Sequence, residues 1–199
     1  MSPVPAYRPL PQQSLAATGC HVLEAFNPPE VTLASPALHV MTDLVRVPAA
    51  TIPPDATLLD VHQSMLVRGV RLLLVAEDDG RIQGLITSTD LQGERPLVLT
   101  LETGVKRDDL RVREVMTNLE RLDALSIEQV QHATVGEVVA TLKASGRTHT
   151  LVVGPDPQGG RQLVGIFSAA QIARQLGVAI QTHEIARTFA EIESLIAHL

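Results

Sequence analysis

The sequence repeats itself from residue 38 onward, and this repetition constrains the fold more than any other feature. A module of about 55 residues would bury only about 60% of its unfolded surface, so we expect the two copies to pack together around a shared core. Three stretches return in the same order, 75 to 81 residues later: HVMTDL (39–44) as EVMTNL (114–119), ATLLDVHQSMLVRG (56–69) as ATVGEVVATLKASG (133–146), and LLVAEDDGRIQGLITSTDL (73–91) as TLVVGPDPQGGRQLVGIFSAAQI (150–172).

Each copy predicts the element order strand, helix, strand, strand, helix. In the first copy, apolar residues from Leu59 to Leu66 recur at roughly helical spacing, and Gly69 is expected to end that helix. The apolar run VRLLLVAE, the tight turn DDG and the alternating RIQGLIT predict a hairpin. A short helix then begins at STDLQ, and we expect Pro96 to stop it.

The two ends of the chain differ from the repeats. Residues 1–37 contain seven prolines, which disfavour long helices and predict an extended, loosely packed arm. Residues 178–199 predict an amphipathic helix that either packs on its own body or pairs with a second subunit. Its apolar seam, with spacings of 4, 3, 4 and 3, is Ile185, Phe189, Ile192, Ile196 and Leu199. The predicted organisation is an arm (1–37), two modules (38–99 and 100–177) and a C-terminal helix (178–199).

The composition argues against several classes of protein. A net charge of -6 and 2% aromatic residues do not suit a nucleic-acid binder. Cys20 is the single cysteine, which excludes an intramolecular disulfide and fits a reducing compartment. No apolar signal segment or membrane-spanning stretch occurs, so we expect a cytoplasmic protein without membrane contact. The motifs GxSxG, GxxxxGK[ST], GxGxxG and HExxH are missing, and the histidines are scattered, so neither an enzyme nor a metal site is expected.

The duplicated element order, the VMT lead-in of each copy and the ending GLITSTDL (84–91) resemble tandem cystathionine-β-synthase (CBS) domains, also called a Bateman module. The resemblance covers about residues 38 to 177. It implies an α/β (α+β) fold of two pseudo-symmetric CBS modules packed as one unit. It also implies a homodimer that regulates an unidentified partner protein. A small adenosine ligand (AMP, ADP, ATP or S-adenosylmethionine) would bind between the modules, with no obligatory cofactor.

The ligand motif of this family is present in the first copy. In the family a strand ends with Gly, two apolar residues and Thr or Ser, and an Asp follows three residues later; Gly84, Thr87 and Asp90 match this pattern. A carboxylate suits the vicinal hydroxyls of a ribose. Thr87 lies where a hydroxyl and the N–H groups of a helix start could meet a phosphate. The stretch TIPPDAT resembles the family segment whose backbone lines the adenine, which makes Ile52 and Pro53 candidate contacts.

The second copy departs from this motif. Gly165 and Ser168 are retained, but Gln171 replaces the Asp, and an amide lacks the paired charge-assisted acceptors of a carboxylate. We therefore expect one competent cleft, in the first copy, and a weaker, altered or empty second one. Cations that a phosphate would need are scarce. Those near the predicted cleft rims, each interpreted as a solvated surface side chain, are Arg68, Arg71, Lys106, Arg147 and His149.

The same residues also fit a purely structural role. Thr87-x-x-Asp90 is the pattern of a helix capping box, and Ser168-x-x-Gln171 satisfies the same rule. Capping explains both copies, whereas ribose binding explains only the first, and the two roles are compatible. Two functions from different classes follow. The first is a non-catalytic sensor of an adenosine nucleotide. The alternative is a ligand-free dimerisation or protein-interaction module with vestigial clefts.

Overall fold

The computed structural model describes Leu10, Gln12 and residues 30–177. The chain divides into two units, residues 1–30 and 31–199, and every element below belongs to the second unit. The predicted C-terminal helix and most of the predicted N-terminal arm lie outside the described residues. Within the described ranges, no helix is long and apolar enough to cross a membrane.

Both repeats fold in the predicted element order, with short additional elements at their starts and a further helix at the end of the first repeat. The first repeat contains β1 (Thr42–Asp43), β2 (Thr51–Ile52), α1 (Leu58–Arg68), β3 (Leu72–Ala76), β4 (Ile82–Thr87), α2 (Ser88–Gln92) and α3 (Glu94–Thr103). The second contains α4 (Val112–Val115), β5 (Thr117–Asn118), β6 (Ala124–Ser126), α5 (Ile127–Val130), α6 (Val135–Ser145), β7 (His149–Pro155), β8 (Arg161–Ser168) and α7 (Ala169–Gln175). Single 3-10 turns cover Ala37–Val40, Arg107–Asp109 and Leu119–Arg121.

The long helix of each repeat begins and ends on matched local signals. Thr57 caps α1, because its backbone N–H donates to Asp60 Oδ2 (2.8 Å) and the Asp60 N–H donates back to Thr57 Oγ1 (3.1 Å). Gly69, with φ 64°, ends the helix as predicted. Thr134 and Gly146 have the same roles in α6. The two repeats are therefore equivalent at the level of local structure.

The second short helix of the first repeat ends differently from the prediction. Gly93, in an extended conformation, separates α2 from α3, and Pro96 lies in the first turn of α3. The prediction that Pro96 stops the helix was wrong. Proline is tolerated there because the first N–H groups of a helix have no intrahelical partner.

Two four-stranded sheets form the centre of the unit, and they exchange their edge strands. Their strand orders are β1-β8-β7-β6 and β2-β3-β4-β5. Thus β1 of the first repeat pairs with β8 of the second, and β5 of the second pairs with β4 of the first, both antiparallel. The short segments that precede these two strands are exchanged as well. Val40 is buried in the core of the second module, and Val115 is buried in the core of the first module. The predicted contiguous modules did not include this exchange.

Residues 31–37 extend the exchange toward the N-terminus. Val31 and Leu33 pack against the core of the second module, and the Gly136 N–H donates to the Leu33 carbonyl (2.9 Å). The Ala37 N–H donates to the Ala133 carbonyl at the same distance. These residues were expected in a loosely packed arm, but they form part of the second module because the start of α6 offers them backbone partners.

The apolar interior has one cluster per module and one between the sheets. The shared core that the duplication predicted is therefore present, and it joins both sheets. The cluster between the sheets is built on Leu72, Leu74, Leu85 and Leu151, which come from both repeats.

Candidate functional site

A cavity of about 170 Å³ lies where the two repeats meet. The β4–α2 junction of the first repeat forms one side, and the start of β7 in the second repeat forms the other. Leu85, Leu122 and Leu151 supply its apolar surface. Most of the remaining lining is hydroxylated or charged, so the cavity can contact a ligand that has both an apolar ring and polar groups.

Thr87 and Asp90, both predicted as ligand-binding residues, line this cavity and also cap α2. The Thr87 backbone N–H and its hydroxyl both donate to Asp90 Oδ2, each at 2.7 Å. The Asp90 N–H donates to Thr87 Oγ1 at 3.3 Å. Asp90 Oδ1 accepts no hydrogen bond from any described residue. The capping box predicted for this copy is thus present, and it leaves one carboxylate oxygen for another donor.

Arg147 and His149 line the opposite side of the cavity. Arg147 Nη2 donates to the carbonyl oxygen of Arg121 (2.7 Å), and His149 Nδ1 lies 3.0 Å from Thr148 Oγ1. Burial, and to a lesser extent the positive charge of Arg71, lower the pKa of His149 to about 4. Its imidazole is therefore neutral near pH 7. Both residues were interpreted from sequence as surface side chains, whereas the structure places them in the cavity wall.

The other residues predicted for the first site lie outside the cavity lining. Ile52 is buried in the core of the first module, and Pro53 is exposed. Gly84 lies in β4 opposite Asn118 of β5, where an added Cβ would collide with the carbonyl oxygen of Thr117. Close approach of the exchanged strand therefore accounts for glycine at position 84.

The second copy bonds its residue at the Asp90 position to the exchanged strand. Thr42 Oγ1 donates to Gln171 Oε1 at 3.2 Å. Ser168 makes no side-chain cap hydrogen bond, so the predicted Ser168–Gln171 capping box was wrong. Gly165 lies against the side chain of Met41, which would collide with an added Cβ. In this copy the amide of residue 171 thus has a protein partner.

Further polar lining residues were not identified from the sequence: Thr89, Thr117, Asp123, Thr148 and Thr150. Thr117 belongs to the repeated EVMTNL stretch, which was a visible signal. Its approach to Thr87 depends on the exchange of β5, however, and contiguous modules do not predict that exchange. Among the described residues, no group of three or more His, Cys, Asp or Glu could hold a metal ion.

Comparisons with known proteins agree with this architecture. The family model for the CBS domain matches residues 39–95. An uncharacterized conserved protein from Pyrococcus horikoshii has a similar structure, with TM-score 0.53 and 20% identity over 77% of this chain and 100% of that one. A CBS-domain-containing protein from Agrobacterium tumefaciens gives TM-score 0.52 and 17% identity over 72% and 94% of the two chains. The comparison with curated proteins gave no match. Residues 39–95 therefore match the CBS-domain family model, and the chain has a fold similar to that of a CBS-domain-containing protein.

Proposed function

We propose that this protein is a non-catalytic regulatory module that binds an adenosine ligand in the cavity lined by Thr87 and Asp90. The observation that carries the proposal is the different hydrogen bonding of the two oxygens of the Asp90 carboxylate. Oδ2 holds the cap of α2, while Oδ1 has no donor among the described residues. A ribose hydroxyl is a donor suited to such an oxygen, and bonds to a charged acceptor are the stronger ones.

The position of the cavity supports a regulatory role. Its lining comes from both repeats, with Leu85 in β4 and Leu151 in β7 also belonging to the cluster between the sheets. A ligand that touches both sides can favour one packing of the two modules over another. It does so only through different affinities for the two arrangements. The regulated protein would recognise the favoured arrangement.

Titration calorimetry with AMP, ATP and S-adenosylmethionine tests the proposal. We expect wild-type protein to bind at least one of them, and Asp90→Asn to lower its affinity at least about tenfold, a loss of about 1.4 kcal/mol. Asn retains one oxygen for the cap but replaces the other oxygen with a donor.

Asp60→Asn is the matched control, because Asp60 makes the same contacts with Thr57 and does not line the cavity. Each variant should lose less than about 1 kcal/mol of stability from its helix start. Equal affinity in wild type and Asp90→Asn would contradict the proposal, as would folded wild-type protein that binds neither these three ligands nor adenosine.

A second function, homodimerisation without a ligand, is favoured by apolar side chains exposed on the first module. Leu59 and Leu66 of α1 are 45% and 68% exposed, and Leu97 and Leu101 of α3 are 59% and 77% exposed. The position in α6 that matches Leu66 is Lys143. Burying such leucines between two copies would gain apolar contact. Leu66→Glu should then convert a dimer to a monomer in analytical ultracentrifugation, and a wild-type monomer would eliminate this function.

A further inference from the structure

We infer that the cavity beside Asp90 selects an adenosine ligand without phosphate, whose 5′ substituent is neutral or positively charged. This inference rests on the proposed function and narrows its ligand class. Three observations carry it: the hydrogen bonds already made by Thr87 and the start of α2, the charges of the lining, and the state of its single arginine.

The groups that were expected to meet a phosphate are already engaged. Thr87 donates its hydroxyl proton to Asp90 Oδ2, and a hydroxyl has only one proton to donate. The Ser88 N–H donates to the Arg71 carbonyl (2.9 Å), and the Asp90 N–H donates to Thr87 Oγ1 (3.3 Å). Since ionised phosphate oxygens only accept hydrogen bonds, these groups are not free to bind them.

The charges of the lining disfavour an anion. Asp90 and Asp123 contribute two negative charges and Arg147 one positive charge, which gives a net charge of -1 for the described lining residues. His149 adds no charge near neutral pH, because its pKa lies at about 4. A triphosphate in this cavity would therefore face more like charge than opposite charge.

The available cations are committed elsewhere. Arg147, the single cation among the described lining residues, donates from Nη2 to the carbonyl of Arg121 (2.7 Å). Arg71 donates from Nε to Ser88 Oγ (3.2 Å) and lines a different cavity, beside Leu59 and Arg107. These bonds orient each guanidinium and leave only part of its five N–H donors for a phosphate.

The remaining groups of the cavity lining can bind a nucleoside. Asp90 Oδ1 can accept from a hydroxyl, and Leu85, Leu122 and Leu151 can contact a base. Asp123, exposed at the cavity, can accept from or attract a positively charged substituent. Hydroxyl donors and a cation are therefore matched by the two carboxylates of the lining, whereas a phosphate would meet a single cation there among the described residues.

Calorimetric titration of the full chain with adenosine, S-adenosylmethionine, AMP and ATP tests the inference at low and high ionic strength. We expect adenosine or S-adenosylmethionine to bind at least about tenfold more tightly than AMP and ATP. The preference for S-adenosylmethionine over ATP should shrink at high salt, because screening weakens charge effects.

Asp123→Asn provides the charge test, with Glu128→Gln as the control. Removing the Asp123 charge should raise AMP affinity relative to adenosine by about fivefold, the effect of one unit charge at close range in water. Glu128→Gln removes an exposed negative charge outside the cavity lining and should leave the AMP-to-adenosine ratio unchanged.

The two proposals fail in different ways. If AMP or ATP binds as tightly as adenosine and S-adenosylmethionine, or more tightly, the selection inferred here is wrong while the cavity remains an adenosine site. If all four ligands fail to bind folded protein, the proposed function itself is wrong and the selection falls with it.

Discussion

The two repeats have equivalent β–α junctions, but the side chains at these junctions have different hydrogen-bond partners. In the first, Asp90 and Thr117 line a cavity and are not bonded to each other. In the second, the matching pair Gln171 and Thr42 is joined by a hydrogen bond of 3.2 Å. A carboxylate that caps its own helix leaves an oxygen over, whereas the amide is satisfied by the strand that crosses from the other repeat. The exchange of one side chain thus distinguishes a carboxylate with an oxygen left for a ligand from an amide whose oxygen is bonded to the crossing strand.

The residues on the opposite wall of the cleft also differ between the two copies. Arg147 and His149 line the first cleft, and the equal-length repeats 56–69 and 133–146 put Val70 and Leu72 at the matching positions. Leu72 is buried between the sheets. The first copy therefore uses this position for packing, as Leu72, while the second copy supplies polar lining to the first cleft there, as His149. The two copies thus share one backbone arrangement, while Asp90, Arg147 and His149 all line the first cleft.

The largest expected difference between the copies concerns their paired glycines. Gly84→Ala should cost about 3 kcal/mol, because the new Cβ collides with the backbone of Thr117 and must displace β5. Gly165→Ala should cost about 1 kcal/mol, because Met41 is a flexible side chain that can rotate away. Urea unfolding of both variants measures the difference. Equal costs would show that the two edge strands approach their sheets equally rigidly.

His149 should give the first cleft a pH dependence that the second lacks. Its folded pKa of about 4 lies below the ordinary value of 6.5, so unfolding takes up a proton between these values. Its contribution to stability is full above pH 6.5 and falls by about 3 kcal/mol as the pH drops to 4.

His149→Leu, which copies Leu72, should remove that part of the pH dependence. Chemical unfolding at pH 7.5 and pH 4.5 provides the measurement, with His62→Leu on the exposed surface of α1 as the control. An unchanged slope between the two pH values in His149→Leu would mean that the imidazole is not held neutral by burial.

The smallest difference concerns the two threonines of the exchanged strands. Thr42→Val removes the bond to Gln171 and should cost about 1 kcal/mol. Thr117→Val removes a hydroxyl with no hydrogen bond among the described residues and should cost less than about 0.5 kcal/mol. Thermal unfolding resolves the two. A larger cost for Thr117→Val would indicate that the first cleft is closed by its own side chains.

Much of the fold was predictable because its signals are local. The caps at Thr57 and Thr87 and the turn at Gly80 each arise from residues close in sequence. The two repeats are visible directly in the sequence. The exchange of edge strands was not predictable in this way, because β1 and β8 pair across more than 120 residues. For the same reason, the partner of Gln171 and the position of Thr117 in the cavity wall escaped sequence reasoning, whereas Arg147 was predicted near a cleft rim. Ile52 and Pro53 were assigned by resemblance and remain a prediction as ligand contacts.

The exchanged lead-in segments have a consequence for how such a chain can arise. A single copy of the repeat could not complete its own sheet, because the strand that covers β4 comes from the other copy. It would have to trade that strand with a second polypeptide, as in a domain-swapped dimer. When residues 88–112 join the two copies in one chain, this strand pairing becomes intramolecular. The effective concentration of each strand for its partner sheet then rises. Once joined, the halves were free to diverge, since neither had to remain compatible with a copy of itself.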